Sequence, residues 1–284
     1  MNFVDFARAH GVDASGISPS DRIQRVPTVE KPRSTNGAVL WDGQRGWVMD
    51  WASGGEIHWY GEQASDGWTD GQRREWAERR EVQRRLQVEG WQRAARRAAG
   101  LLATTMLTEH GYLRLKGFAE QKGLVLPDEV LMVPMRDLDS NALVGAQLIR
   151  WVGEERRWDK RMLPGMRAKG AVLRIGDGRA REMFLCEGFA TGLSIAEAVR
   201  VLRLNAAVLV TFSATNLVHV AGRLGRAAIV VADNDESGVG EGAATATGLR
   251  YCMSACVGED ANDLHQRAGV FALAQMLMAA MAQR

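Results

Sequence analysis

Two short stretches late in the chain carry residues able to do chemistry: Cys186-Glu187-Gly188 and Asp233-Asn234-Asp235. Apolar runs precede both, Met183-Phe184-Leu185 in the first case and Ala228-Ile229-Val230-Val231-Ala232 in the second. Such runs read as buried parallel strands, and open α/β sheets bind ligands at strand carboxyl ends. Carboxylates gathered in one crevice repel each other unless a cation joins them. Mg²⁺ suits such a set, being a hard ion that takes oxygen ligands and brings phosphates with it. The chemistry indicated is metal-dependent and acts on nucleotides. A spacing of two in an extended segment points Asp233 and Asp235 to the same side. A further acidic loop, Gly258-Glu259-Asp260-Ala261-Asn262-Asp263, is expected at the same edge. One acidic strand end alone reads as a helix cap; three in one sheet read as a site.

The elements that must position these residues alternate regularly. The pattern predicts strand Met183–Cys186, helix Thr191–Arg203, strand Ala207–Phe212, helix Ala214–Leu224 and strand Ala228–Ala232. A helix near Glu241–Leu249 and a strand near Tyr251–Val257 follow. That order argues for a parallel sheet with right-handed crossovers. The amphipathic segment Val270–Ala282 closes it with Leu273, Met276, Leu277 and Met281. Upstream, Val130–Met135 and Leu143–Ile149 read as two strands around the turn Asp137-Leu138-Asp139-Ser140-Asn141.

A net charge of +2 over 284 residues conceals an uneven distribution. Residues 1–70 carry a net −4, residues 71–180 a net +8 and residues 181–284 a net −2. A basic middle beside an acidic site is what an enzyme handling polyanions needs. Arg156, Arg157, Lys160, Arg161, Arg167, Lys169 and Arg174 fall on strand ends and loops, which suggests a phosphate-holding surface. Cys186, Cys252 and Cys256 are too few for a disulfide framework, and no second Cys/His pair completes a metal site with the last two. No apolar run reaches membrane-spanning length, and the start lacks a signal-peptide profile. A reducing cytoplasm is the expected setting.

Residues 1–70 read as a small β-rich module with turn signals at Thr35-Asn36-Gly37, Trp41-Asp42-Gly43 and Ser53-Gly54-Gly55. Trp41, Trp47, Trp51, Trp59 and Trp68 are expected to form its core; the other reading makes some of them stacking platforms for single-stranded bases. The stretch containing Arg25, Lys31 and Arg33 would flank such a surface. Residues 71–104 read as a basic linker helix, with Arg74, Arg85 and Arg96 on one stripe.

Several of these motifs carry a family resemblance. Glu187-Gly188 after one apolar strand, Asp233-x-Asp235 after a later one, and the following Gly238 resemble the Toprim domain of bacterial primases, topoisomerases and some nucleases. Met132–Asp137, Val144–Gln147 and Lys160–Gly165 are similar to the basic half of a primase catalytic core. Cys186–Ser194 and Asp260–His265 resemble the Toprim primases of plasmids, integrative elements and phages. The resemblance covers residues 105–268. It implies an α/β fold, with a parallel Toprim sheet and flanking helices in residues 181–284. A mixed α+β basic primase-core subdomain (105–180) and the β-rich module would precede it.

The resemblance implies roles as well. Glu187 would be a metal ligand or general acid/base, and Asp233 and Asp235 the principal metal ligands. Asp260 and Asp263 would complete a site for Mg²⁺ or Mn²⁺. Arg136, Lys160, Arg161 and Lys169 would hold template backbone or incoming triphosphate, and Gly188 and Gly238 would be structural. Residues 20–60 resemble the layout of a primase zinc ribbon but hold no cysteine, so folding without zinc is expected. Thr191 stands where replicative primases carry an aspartate, as in the plasmid-type group.

The implied activity is synthesis of short RNA primers on single-stranded DNA from ribonucleoside triphosphates. Expected partners are a replicative helicase or single-strand-binding protein, and no membrane. A Toprim nuclease and a non-catalytic single-stranded-DNA adaptor are the alternatives. A dinucleotide-binding reading of Gly238-Val239-Gly240-Glu241-Gly242 is disfavoured, because Asp233, Asp235 and Glu236 would face the pyrophosphate.

Overall fold

The computed structural model describes all residues except 30, 31, 33, 34, 51–56, 62–69, 225–227 and 283–284. The Ser53-Gly54-Gly55 turn, Trp51, Trp68, Lys31 and Arg33 therefore lie outside the described residues. The chain divides into two compact units, Met1–Arg85 and Leu86–Arg284, with the division inside one long helix.

The first unit begins with α1 (Phe3–Ala9), followed by β1 (Ser20–Val26), β2 (Gly37–Trp41), β3 (Gly46–Asp50) and β4 (Ile57–Tyr60). The four strands form an antiparallel sheet in chain order. Helix α1 starts where Asn2 accepts from the Asp5 amide, a cap that a β-centred reading of the segment passes over. Between β2 and β3 the Asp42 carboxylate accepts from the Gln44 and Arg45 amides, and Gly43 supplies the positive φ of the turn. Phe3, Val39 and Val48 are buried on one face of the sheet, and Ala38, Trp47 and Met49 on the other. Trp41 stacks on Phe3 at 5.2 Å. Trp41, Trp47 and Trp59 all belong to apolar clusters, so the three described tryptophans serve as core.

Helix α2 (Asp70–Thr104) links the units. Its Arg74, Arg85 and Arg96 are exposed, and Glu81 pairs with Arg84 and Arg85. Nearer its end, Ala98, Leu101 and Leu102 pack over Met132, Ala146 and Leu163. Then come β5 (Met106–Thr108), α3 (Gly111–Leu115), β6 (Gly123–Val125), β7 (Leu131–Asp137), β8 (Leu143–Val152), β9 (Arg157–Met162) and β10 (Ala171–Ile175).

The remainder is β11 (Glu182–Cys186), α4 (Phe189–Val201), β12 (Ala206–Val210), α5 (Ala214–Leu224), β13 (Ala228–Val231), α6 (Val239–Ala246), β14 (Arg250–Cys252), α7 (Ala261–Ala268) and α8 (Val270–Ala282). Strands β14, β13, β11 and β12 lie side by side and parallel, as the alternating pattern predicts. Both faces are covered over β13, β11 and β12, which is why their central residues are apolar, while the edge strand β14 (Arg250–Cys252) is half-buried. Phe184, Val208 and Ile229 face α4 and α8, while Leu185, Leu209 and Val230 face α5 and α6. Two local differences from expectation appear. Strand β14 stops at Cys252, and residues 261–268 form helix α7 where an acidic loop is expected.

Residues 105–180 and 181–284 share one ten-stranded sheet, joined where β10 runs antiparallel to β12. Asn216, in the first turn of α5, secures that seam. Its Oδ1 accepts from the Gly170 amide at 2.7 Å, and its Nδ2 donates to the Ala171 and Thr211 carbonyls at 2.8 Å each. Asn216→Ala strands three buried backbone groups, at about 1–3 kcal/mol apiece if no water enters. We expect a loss of about 3 kcal/mol or more, read as a lower urea midpoint with an unchanged slope. A loss below about 1 kcal/mol would show that the seam does not depend on this amide.

Candidate active site

Glu187 follows the last residue of β11, and Asp233 lies two residues beyond β13, at the carboxyl ends of neighbouring parallel strands. Gly188 then opens α4 with extended backbone. A Cβ there would stand 2.9 Å from Thr191 Oγ1, so a side chain would crowd the turn that presents Glu187. Gly238 opens α6 at φ +69°, a conformation that favours glycine. Gly240 permits a close approach, since a Cβ on it would lie 2.2 Å from the Asp233 carbonyl oxygen.

The acidic groups lie within electrostatic reach of one another. Burial raises the Cys186 thiol well above its ordinary pKa, and the charges of Asp233, Asp260 and Glu187 raise it further. Asp233 is half-buried, and its Oδ1 is buried without a hydrogen-bond partner among the described residues. Burial, then Asp260, Glu187 and Asp235, push its carboxyl up to about 7, against the pull of Lys160. Glu187 is raised as well, by burial first and by Asp235 next, with Lys160 again opposing.

The other acids are engaged differently. The Asp235 carboxylate accepts from the Ser237 hydroxyl and from the Ser237, Val239 and Gly240 amides. These bonds, the Ser237 hydroxyl foremost, hold its pKa below the usual range. Asp235 thus grips the start of α6 while Asp233 Oδ1 has no partner among the described residues, and the shared side expected from spacing does not bring shared surroundings. Asp260 is the N-cap of α7, accepting from the Asn262 and Asp263 amides, and Asp263 accepts in return from the Asp260 amide. Thr191 Oγ1 donates to Asp260 Oδ2 at 3.3 Å.

The four nominated cations separate. On β9, Lys160 and Arg161 project to opposite faces because side chains alternate along a strand. Lys160 lies over the Tyr112 ring, 5.3 Å from its centroid, and acts on both Glu187 and Asp233. Arg161 is exposed and pairs with Asp159 at 2.5 Å. Arg136 donates to the Asn141 carbonyl within its own hairpin turn. Lys169 is exposed beside α5, where burial and then Lys169 and Arg223 depress the His219 pKa. Lys160 is the nominated cation that the structure brings to the carboxylates.

Sequence reasoning passed over Tyr112, Lys116 and Asn262. Tyr112 is 1% exposed, and its hydroxyl has no partner among the described residues. Burial, opposed by Lys116 and aided by Asp260, puts its pKa at about 12. Lys116 Nζ lies 3.8 Å from Asp263 Oδ1. A tyrosine and a lysine four apart on a short helix carry no sequence signal of their own.

These donors are carboxylate oxygens, the type a hard divalent cation takes. Asp233 Oδ1 is an oxygen awaiting a partner, and neighbouring carboxylates raise its proton affinity where a cation would lower it. Asp233 would offer that oxygen to an ion, with Glu187, Asp235 and Asp260 within electrostatic reach of it. As the side chains stand, no three His, Cys, Asp or Glu groups among the described residues are close enough to ligate one.

Residues 182–270 match the family model of the Toprim domain. The match spans Glu187, Asp233, Asp235 and helix α7, and this part of the chain has the Toprim fold. No curated protein matches the chain significantly. Among solved structures, the chain is similar to the RNA polymerase domain of the Mycobacterium tuberculosis primase DnaG. That likeness has 17% identity over 65% of this chain and 71% of that one, with a TM-score of 0.38. It is also similar to a DnaG catalytic core, at 15% identity over 64% and 67%, with a TM-score of 0.39. No helix among the described residues is long and apolar enough to cross a membrane.

The raised Asp233 carboxyl has a consequence for stability. Its folded pKa of about 7 exceeds the ordinary 3.8. Its contribution is therefore fully present below pH 3.8 and is lost as pH rises through about 7. Asp233→Asn removes the charge, so without divalent ions it should be more stable than the parent at pH 8, by about 1–2 kcal/mol. That advantage should shrink toward pH 4. Equal or lower stability of the variant at pH 8, by urea titration in EDTA, would contradict the assigned repulsion.

Proposed function

We propose that this chain is a DNA-dependent RNA primase, making short primers on single-stranded DNA from ribonucleoside triphosphates by nucleotidyl transfer. The observation that carries the reading is Asp233: a carboxylate with a buried unpartnered oxygen, raised to about 7, beside Glu187 and Asp260 at the edge of a Toprim sheet. Mg²⁺ or Mn²⁺, when bound there, would reduce the charge on the triphosphate and activate the 3′-hydroxyl.

The chain's own residues do the rest. Lys160 is placed to bind phosphate oxygens beside the acidic edge. Glu187, with its raised proton affinity, suits the role of accepting the proton from the attacking hydroxyl. The exposed Arg161 and Lys169 lie apart from the carboxylates and are suited to template backbone. Arg136, bonded within its hairpin turn, is assigned with them. Single-stranded DNA and ribonucleotides are the partners this reading requires. A replicative helicase or single-strand-binding protein, a cytoplasmic setting and service to a plasmid, phage or integrative element belong to the same proposal. A nuclease is the second reading, because the same carboxylates suit phosphodiester cleavage.

Incubation with single-stranded DNA, Mg²⁺ and labelled ribonucleotides separates these readings: short RNA supports the primase, and cut DNA the nuclease. Asp233→Asn and Asp235→Asn should each lower synthesis at least about a hundredfold, a loss of several kcal/mol of transition-state stabilisation. Asparagine at 235 keeps one oxygen for Ser237 and Val239 but sets an amino group against the Gly240 amide, so its loss should come through the displaced start of α6 and the Asp233 backbone beside it. Near-normal Mg²⁺-dependent synthesis by either variant would remove that residue from the site.

A further inference from the structure

We infer that Asn262 is a positioning residue that fixes Lys116 at the carboxylate edge, making Lys116, beside Lys160, a second cation for nucleoside triphosphate phosphates. The inference rests on the nucleotidyl-transfer reading and extends it to residues that reading does not use.

Asn262 is fully buried at 0% exposure, and its bonds run in several directions. Its Nδ2 donates to the Lys116 carbonyl at 2.9 Å and to Ser194 Oγ at 3.0 Å. Its Oδ1 accepts from Gln266 Nε2 at 3.0 Å, and its amide donates to Asp260 Oδ1 at 2.7 Å. His265 Nδ1 lies 3.1 Å from the same Ser194 Oγ. One amide therefore ties α7, α4 and the end of α3, across 146 residues of sequence from Lys116.

Lys116 needs such an anchor. It caps the five-residue helix α3, whose Tyr112, Leu113 and Arg114 carbonyls are taken by the next amides while its own carbonyl goes to Asn262, and Gly117 at φ +87° then turns the chain away. Its ammonium stands 3.8 Å from Asp263, beyond hydrogen-bond length, so that carboxylate does not take up its donors. Asp263 is meanwhile occupied with the Asp260 amide.

Lys116 and Lys160 both act about one immobile ring. Lys160 lies over Tyr112, and Lys116 influences the Tyr112 hydroxyl together with Asp260. That hydroxyl is buried and has no partner among the described residues, so the ring serves as a wall for the two lysines rather than as a contact for a ligand. Two cations beside an acidic site are the chemistry that recognises a phosphate chain.

Calorimetric titration of the full chain with ATP and Mg²⁺ tests this in the parent, Lys116→Ala, Asn262→Ala and the double variant. Each single change should weaken ATP binding about tenfold, as expected for a lost charge-assisted contact. The double variant should bind within about twofold of Lys116→Ala, because Asn262 acts through Lys116. Normal ATP affinity in Asn262→Ala with only a lowered melting temperature would overturn the inference, as would losses that multiply in the double variant. Should Asn262→Ala not fold, Asn262→Ser keeps one donor and takes its place. A parent that binds ATP with this pattern yet makes no primer sinks the primase reading alone. A parent that does not bind ATP sinks the inference.

Discussion

A buried carboxylate oxygen without a partner stays charged at neutral pH only beside positive charge, and the architecture around Asp233 supplies that charge unevenly. Three helices, α4, α6 and α7, begin at residues 189, 239 and 261, each just after one of the acidic segments. Helix starts carry partial positive charge and free amides, so each gives fixed support to nearby carboxylates. Asp235 and Asp260 take that support directly, as acceptors for α6 and α7. Glu187 and Asp233 do not, and their pKa values are raised.

The remaining positive charge comes from another part of the sheet. The antiparallel pairing of β10 with β12 joins the two halves of the ten-stranded sheet. The register of β9 against β8 places Lys160 opposite Ile149, on the face where Tyr112 packs. A slip of one residue would turn Lys160 to the other face and put Arg161 or Asp159 in its place. Register along β9 is thus an electrostatic constraint as well as a packing one.

Much of the Toprim portion was legible because its signals are local. Apolar runs ending at Cys186 and Val231 define strands buried on both faces, and glycine or acidic residues mark where the chain leaves the sheet. The helix over residues 261–268 was legible too, through a different rule: Asp260 and Asp263 stand in the spacing of a capping box. Reading those aspartates as ligands hid their role as helix starters. Lys116 and Asn262 were not legible, since their bond spans 146 residues and no local pattern marks it. Nor does a count of basic residues show that Lys160 and Lys169 lie in different surroundings. That follows from strand parity and from the Asn216 seam.

These observations divide the acids by what surrounds them rather than by their place in a motif. Asp235 is pinned by amides and a hydroxyl, so it stays ionised and fixes the geometry of the Gly238 turn. Asp233, two residues away, has burial and like charge around it, so its affinity is kept for a proton or a cation. A cation bound there would displace a proton near neutral pH and relieve the repulsion from Glu187 and Asp260. The same motif thus contains a carboxylate without fixed partners and another that holds the backbone beside it. Gly240 is what lets the start of α6 lie against the Asp233 backbone, since any side chain at that position would meet the Asp233 carbonyl.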